Sequence, residues 1–191
     1  MRIELKNICK AYNGKAVLKD LSLVFVPGEP AVIEGVSGIG KTTLIKIIEG
    51  LETPDSGEVL YDGVPNGKCR FAPVFQETRL IEDLNAVRNI RLAAPELSED
   101  RIEDELKKLI PSSEFNKKVR DLSGGTRRRV ETVRAVLAPS DVLIMDEPLT
   151  GLDEDNLRKV AAYIEAGIGD RIFIASSHSE LLESFCRVIK L

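Results

Sequence analysis

The sequence predicts an α/β fold: a mainly parallel sheet, an antiparallel β region at the N-terminus and a small inserted helical lobe. Three observations lead there. From residue 31 onward, short apolar runs of strand length alternate with amphipathic stretches, as in a parallel sheet with helical crossovers. Residues 2–26 instead hold two strand-like runs on either side of Asn13-Gly14, a tight-turn signal. From about 79 to 122 there are few β-branched runs and many helix formers.

Each element has its own warrant. In 2–9, Ile3 and Leu5 alternate with charged residues and Ile8 continues the apolar set; 16–26 (AVLKDLSLVFV) is a second strand, ended by Pro27-Gly28. Residues 31–35 form a short strand, and KTTLIKIIEG a helix with Leu44, Ile47, Ile48 and Leu51 at helical spacing and Gly50 as its stop. Segments 57–61 and 69–75 are strands, with a turn at Asp62-Gly63. In the lobe, LSEDRIEDELKKLI offers Ser98 as N-cap, acidic residues in the first turn, Leu106, Leu109 and Ile110 on one face, and Pro111 as a stop. Helices follow at 124–138, 154–166 and 179–185. Strands follow at 142–146 (VLIMD), 171–176 (RIFIAS) and 186–190, the first two apolar throughout, as strands covered on both faces must be. The chain reads as one domain, 1–191, in which 1–78 and 126–191 form the core and 79–125 the lobe.

Composition narrows the function. The 191 residues carry 27 basic and 31 acidic side chains, a net charge of −4. A mildly acidic domain lacks the basic excess of a sequence-independent nucleic-acid binder, and Arg127-Arg128-Arg129 reads as a solvated or ion-paired helix face. Cys9, Cys69 and Cys186 are scattered, and with one histidine they make no zinc set. They read as reduced thiols of a cytoplasmic protein. The N-terminus has no signal-peptide core, and no apolar run approaches the ~18–20 residues of a membrane span.

Residues 35–42 read Gly35-Val36-Ser37-Gly38-Ile39-Gly40-Lys41-Thr42, the full G-x-x-x-x-G-K-[ST] pattern, with a strand before it and a helix after. Glycines let backbone amides approach phosphate oxygens, and the helix N-terminus adds its positive end. Lys41 would reach the β- and γ-phosphates, Thr42 would ligate Mg²⁺, and Thr43 would sit beside the phosphates. Asp146 and Glu147 end the VLIMD strand, at the edge where doubly wound sheets bind ligands. Asp146 would hold Mg²⁺ opposite Thr42, and Glu147 would take a proton from an attacking water.

Leu122-Ser123-Gly124-Gly125 ahead of a helix resembles the signature motif of ABC ATPases, a family of phosphate-loop NTPases. Other family motifs follow in order over nearly the whole chain. Tyr12 matches the aromatic that stacks on adenine, though it could be plain packing. Gln76 matches the glutamine at the lobe junction, which senses the γ-phosphate and Mg²⁺. Thr150-Gly151-Leu152-Asp153 resembles the D-loop, His178 the switch histidine, and Arg129 and Arg134 the basic positions of the signature helix. The resemblance implies ATP hydrolysis in a head-to-tail dimer with a second ATPase subunit, identical or not. Ser123, Gly124 and Gly125 of one subunit would cap the γ-phosphate held by the other. It also implies a transmembrane permease as partner and a peripheral place on the cytoplasmic face of the membrane.

Thr126 stands where the family most often has Gln, and Glu131 and Thr132 where small or apolar residues are common. The chain ends soon after its last strand, so the C-terminal regulatory domain of some importer ATPases is not expected. A soluble ABC-type ATPase of translation or DNA maintenance is the alternative. The former usually carries two such domains and the latter a long coiled-coil insertion. A cassette that binds without hydrolysing is disfavoured by Lys41, Asp146, Glu147 and His178. FQETRL around Gln76 resembles importers of nitrate, sulfonate or taurine type, while compact cassettes also serve lipoprotein-release and exporter systems.

Overall fold

The computed structural model describes residues 1–65 and 67–191. Two sheets form. The antiparallel one has the order β2-β1-β4-β5, from β1 (Ile3–Tyr12), β2 (Lys15–Phe25), β4 (Ser56–Tyr61) and β5 (Val64–Pro65). The other is parallel throughout, in the order β6-β7-β8-β3-β9: Phe71–Val74, Val142–Asp146, Ile172–Ser176, Ala31–Glu34 and Arg187–Lys190. Among the described residues, six α-helices connect and cover them: α1 (Lys41–Ile48), α2 (Ala86–Ala93), α3 (Glu99–Lys107), α4 (Gly124–Leu137), α5 (Glu154–Gly167) and α6 (Glu180–Glu183). The predicted fold class therefore holds.

The parallel strands explain their own composition. Along VLIMD, Val142 and Ile144 join a core with Ile3, Ile8, Phe25, Leu44 and Ile48, between the antiparallel sheet, α1 and one sheet face. Leu143 and Met145 point the other way, into a core with Val130 and Val133 of α4 and Val160 and Ile164 of α5. With both faces buried, alternation has no place. In β1 the apolar period slips between Leu5 and Ile8 because the register with β2 shifts there. Asn7 takes φ 51° and donates its side-chain amide to Asp20 at 2.7 Å, which resets the face that Ile8 presents.

Several boundaries differ from the sequence reading. α1 ends at Ile48, and Leu51 lies beyond it, 62% exposed rather than on the apolar face. The cause is a Schellman stop: Gly50 takes φ 73°, its N–H bonds the Ile47 carbonyl, and the Leu51 N–H bonds the Lys46 carbonyl. The strand expected over 69–75 begins only at Phe71, because the Arg70 N–H is taken by the Asp141 side chain. The helix expected over 179–185 is four residues long, and β5 was not foreseen.

Ser98 caps α3 as expected, accepting from the Arg101 N–H at 3.3 Å. The lobe helices share one core with α4: Val87, Ile90, Ile102 and Leu106 are contiguous with Val130 and Val133. The lobe boundary expected between 125 and 126 thus falls inside the first turn of α4. A shared core predicts shared unfolding. Leu106→Ala removes a fully buried side chain and should cost about 2–5 kcal/mol, read as a lower denaturant midpoint with an unchanged slope. A separate early transition would contradict a shared core.

Candidate functional site

Among the described residues, the loop between β3 and α1 commits one amide to its own backbone, the Ile39 N–H to the Val36 carbonyl, and leaves the others to face outward. Gly40 is the N-cap of α1 and supplies no side-chain cap, so the first-turn N–H groups face the cleft. Gly40 takes φ 124°, and a Cβ there would lie 2.6 Å from Val17 Cγ1. Only glycine brings the helix start this close to β2. Lys41 is 7% exposed. Its ammonium donates to the Gly35 carbonyl at 2.7 Å, meets His178 Nε2 at 2.9 Å and lies 3.6 Å from Glu147 Oε1.

Asp146 closes β7 and is 2% exposed. Its Oδ2 accepts from the Thr42 hydroxyl at 2.7 Å and its Oδ1 from the Ser176 hydroxyl at 2.5 Å. Among the described residues, no three His, Cys, Asp or Glu side chains converge as a metal cage. One carboxylate beside one hydroxyl is instead a donor set that suits Mg²⁺, which takes its remaining ligands from phosphate oxygens and water.

Glu147 has φ 50°, a left-handed backbone rare for a non-glycine residue. Two acceptors on Ser176 hold it there, the carbonyl and the hydroxyl, both bonded by the Glu147 N–H. The turn separates two adjacent carboxylates. Asp146 meets Thr42, while Glu147 meets Lys41 and lies 3.4 Å from His178 Nε2. Strain of this kind, of order 1–3 kcal/mol, persists where the surroundings over-determine it, and it clusters at active sites.

Tyr12, Ser37, Gly38, Gly40, Lys41, Thr42, Thr43, Gln76, Asp146, Glu147 and His178 all line one cleft, of about 370 Å³. Gly35, Val36 and Ile39 do not. Gly35 contributes its carbonyl to Lys41, Val36 is 71% exposed, and the Ile39 N–H closes a turn onto Val36. Tyr12 is 43% exposed, with the Lys10 ammonium 5.4 Å from its ring centre.

Ser123, Gly124, Gly125 and Asp153 are likewise outside the cleft. Ser123 caps α4, accepting from the Thr126 N–H at 3.1 Å. Gly124 has open space where a Cβ would point. Asp153 caps α5, and the Asn156 N–H and side-chain amide hold its carboxyl below the usual range. The LSGG turn therefore does not line the cleft that the phosphate loop lines.

Two carboxylates, one half-buried and one fully buried, were not foreseen as they stand. Glu131, which stands where small or apolar residues are common, is fully buried, and it accepts from the backbone N–H of Arg79. Glu49, at the end of α1, shares a 300 Å³ cavity with Thr42, Gln76 and Asp146, and its Oε2 has no hydrogen-bond partner among the described residues. A lone Glu at a helix end gives no sequence signal of this, because the cavity forms only where α1 faces the 75–79 segment.

Strand, glycine loop and helix, with an aspartate at the end of the neighbouring strand, define a phosphate-loop nucleotide-binding protein. Within that class the chain belongs to the ABC transporter family, whose sequence model matches residues 18–150. It is 33% identical to the spermidine/putrescine import ATP-binding protein PotA of Mesoplasma florum, over 93% of this chain and 55% of that protein. The Spiroplasma citri protein of the same name is 39% identical over the same shares. The Nod factor export ATP-binding protein I of Cupriavidus metallidurans is 32% identical, over 96% of this chain and 65% of its own. The chain thus spans about half the length of the polyamine-import relatives. Among solved structures, a putative ABC transporter ATP-binding protein of Pyrococcus furiosus superposes with a TM-score of 0.89 at 29% identity, over 100% of this chain and 98% of that one. A dimeric ATP-binding cassette in a post-hydrolysis state, bound to ADP and Pi, gives 0.86 at 27% identity, over 99% and 94%.

Glu49 carries a pH prediction. Burial, then the charge of Asp146, raises its carboxyl to about 7, against a smaller opposing pull from Lys46. The folded state keeps a proton that the unfolded chain releases from about pH 4.5 upward, so this residue's contribution to stability falls between pH 4.5 and 7. Glu49→Gln removes that loss. It should raise stability at pH 8 by up to about 3 kcal/mol, and leave it nearly unchanged at pH 4. Melting curves of both proteins across pH check this; a gain of equal size at both ends would contradict it.

Proposed function

We propose that the chain is the ATP-binding and ATP-hydrolysing subunit of an ABC transporter. One observation carries the reading. The chain's own fold gathers Lys41, Thr42, Asp146, Glu147 and His178 around a single cleft, with Asp146 beside Thr42 and Glu147 beside Lys41 and His178. Amides of the Gly35–Thr42 loop and Lys41 would hold the β- and γ-phosphates, and Tyr12 would stack on adenine. Thr42, Asp146 and Gln76 would hold Mg²⁺, which neutralises phosphate charge when bound. Glu147 is aimed by its left-handed turn toward the phosphate end of the cleft, where it would accept the proton of the attacking water. His178, within reach of both Lys41 and Glu147, would orient the γ-phosphate.

The separation of the LSGG turn from the cleft supports a dimer. Ser123, Gly124 and Gly125 sit at a helix N-terminus, a ready anion site, and none of them lines the cleft of this chain's own phosphate loop. In a head-to-tail pair each LSGG would complete the other's cleft, with Asp153 nearby. A dimeric cassette among the structural neighbours supports this arrangement. No described helix is long and apolar enough to cross a membrane; the path across it would come from a transmembrane permease as partner. The chain would then sit peripherally, on the cytoplasmic face. The relatives' printed roles include both import and export, and none reported above is of nitrate, sulfonate or taurine type.

Glu147→Gln tests the reading. Nucleotide affinity should be unchanged while steady-state hydrolysis falls by at least ~10²-fold, the usual scale for a general base. A full rate in that variant would place the base elsewhere.

A further inference from the structure

α4 holds more than the LSGG turn. Arg128, 6% exposed, donates one guanidinium nitrogen to the Phe75 carbonyl and the other to the Gln76 carbonyl, each at 2.5 Å. One turn on, Glu131 is fully buried and accepts from the Arg79 N–H at 2.8 Å. It also pairs with Arg128 at 3.2 Å and with Arg134 at 3.4 Å. A further turn on, Arg134 donates to the Arg79 carbonyl at 2.7 Å. Residues 128, 131 and 134 share one helix face, and that face grips the 75–79 segment at both ends by its backbone. Gln76 itself is exposed and lines the cleft with Thr42 and Asp146.

The grip is a charge network in a buried place. Burial pushes the Glu131 carboxyl up, while the Arg79 N–H and the nearby guanidinium charges pull it down. Charges so buried are tolerated only as a set, and removal of one leaves the others uncompensated. A planar fork can bond two successive carbonyls at once, which an ammonium cannot. The network therefore fixes the backbone position from which the Gln76 side chain enters the cleft. It does so from the helix that presents Ser123 and Gly124.

We propose that Arg128 and Glu131 are positioning residues for Gln76, so that the 75–79 segment and the LSGG turn move as one body. This rests on the reading of the cleft as an ATPase site. The test has two readouts. In nucleotide-free protein, Arg128→Met should speed hydrogen exchange at the amides of 75–79 by at least about tenfold over the rest of the chain. In hydrolysis assays the same variant should lose at least about tenfold in kcat, with nucleotide affinity held within about twofold. Arg128→Lys should not rescue it.

In a Gln76→Ala background the Arg128→Met loss should largely vanish, since both act through one group. Glu131→Gln, nearly isosteric, supplies the same comparison if Arg128→Met does not fold. Full hydrolysis in a folded Arg128→Met protein overturns the inference. So does unchanged exchange at 75–79, or an Arg128→Met loss undiminished without the Gln76 side chain. A Gln76→Ala protein at the wild-type rate removes the inference too, yet leaves ATP hydrolysis standing. Absence of hydrolysis in the wild-type protein is the distinct result that would remove the underlying reading.

Discussion

The buried carboxylate of Asp146 is where the elements of this molecule meet. It ends β7, accepts one hydroxyl from α1 and another from β8, and is almost fully enclosed. A carboxylate in that position is costly unless its oxygens are bonded, and Thr42 and Ser176 bond both of them. The same Ser176 receives the Glu147 N–H and so holds the left-handed turn that points the second carboxylate at Lys41 and His178. Parallel pairing of β7 with β8, and of β8 with β3, sets the relative positions of these groups. The cleft is thus a consequence of sheet topology, and its chemistry of which hydroxyls stand beside one aspartate.

Much of this was legible in the sequence because it is local. The glycine loop, the apolar runs of β7 and β8, and the Ser98 cap each depend on a few neighbouring residues. What was not legible is long-range or cooperative. Leu51 fits the helical period of α1, yet the Gly50 stop, itself legible, closes the helix by bonds back to Lys46 and Ile47 and leaves Leu51 outside it. Ile8 obeys β1 only after a register shift that depends on Asp20 of the next strand. Glu49 shares its cavity with, and Glu131 takes its backbone partner from, the 75–79 segment, distant from both in sequence, so nothing beside them marks these surroundings. The tight approach of Gly40 to Val17 is likewise invisible until β2 is placed over α1.

The helix α4 joins the two kinds of feature. Its first turn carries LSGG, its apolar face closes the shared core of sheet and lobe, and its charged face holds the 75–79 segment. A displacement of the lobe would therefore reach the cleft through Gln76 and the LSGG turn together. Arg129 extends the same helix to α5, bonding Asn156 at 2.8 Å beside the Asp153 cap. In the proposed dimer, these connections would link what binds at one cleft to what is presented to the other.

The central claim is that each cleft is half of a site, completed by the LSGG turn of a second copy. The most direct measurement mixes two variants, Lys41→Ala, which disables the cleft, and Ser123→Arg, which disables the cap. Neither should hydrolyse ATP alone. An equimolar mixture forms mixed pairs with one intact composite site each, and should recover about a quarter of the wild-type rate for a symmetric dimer. A Ser123→Arg protein that hydrolyses at full rate by itself, or a mixture as inactive as its components while wild-type protein is active, would contradict the account.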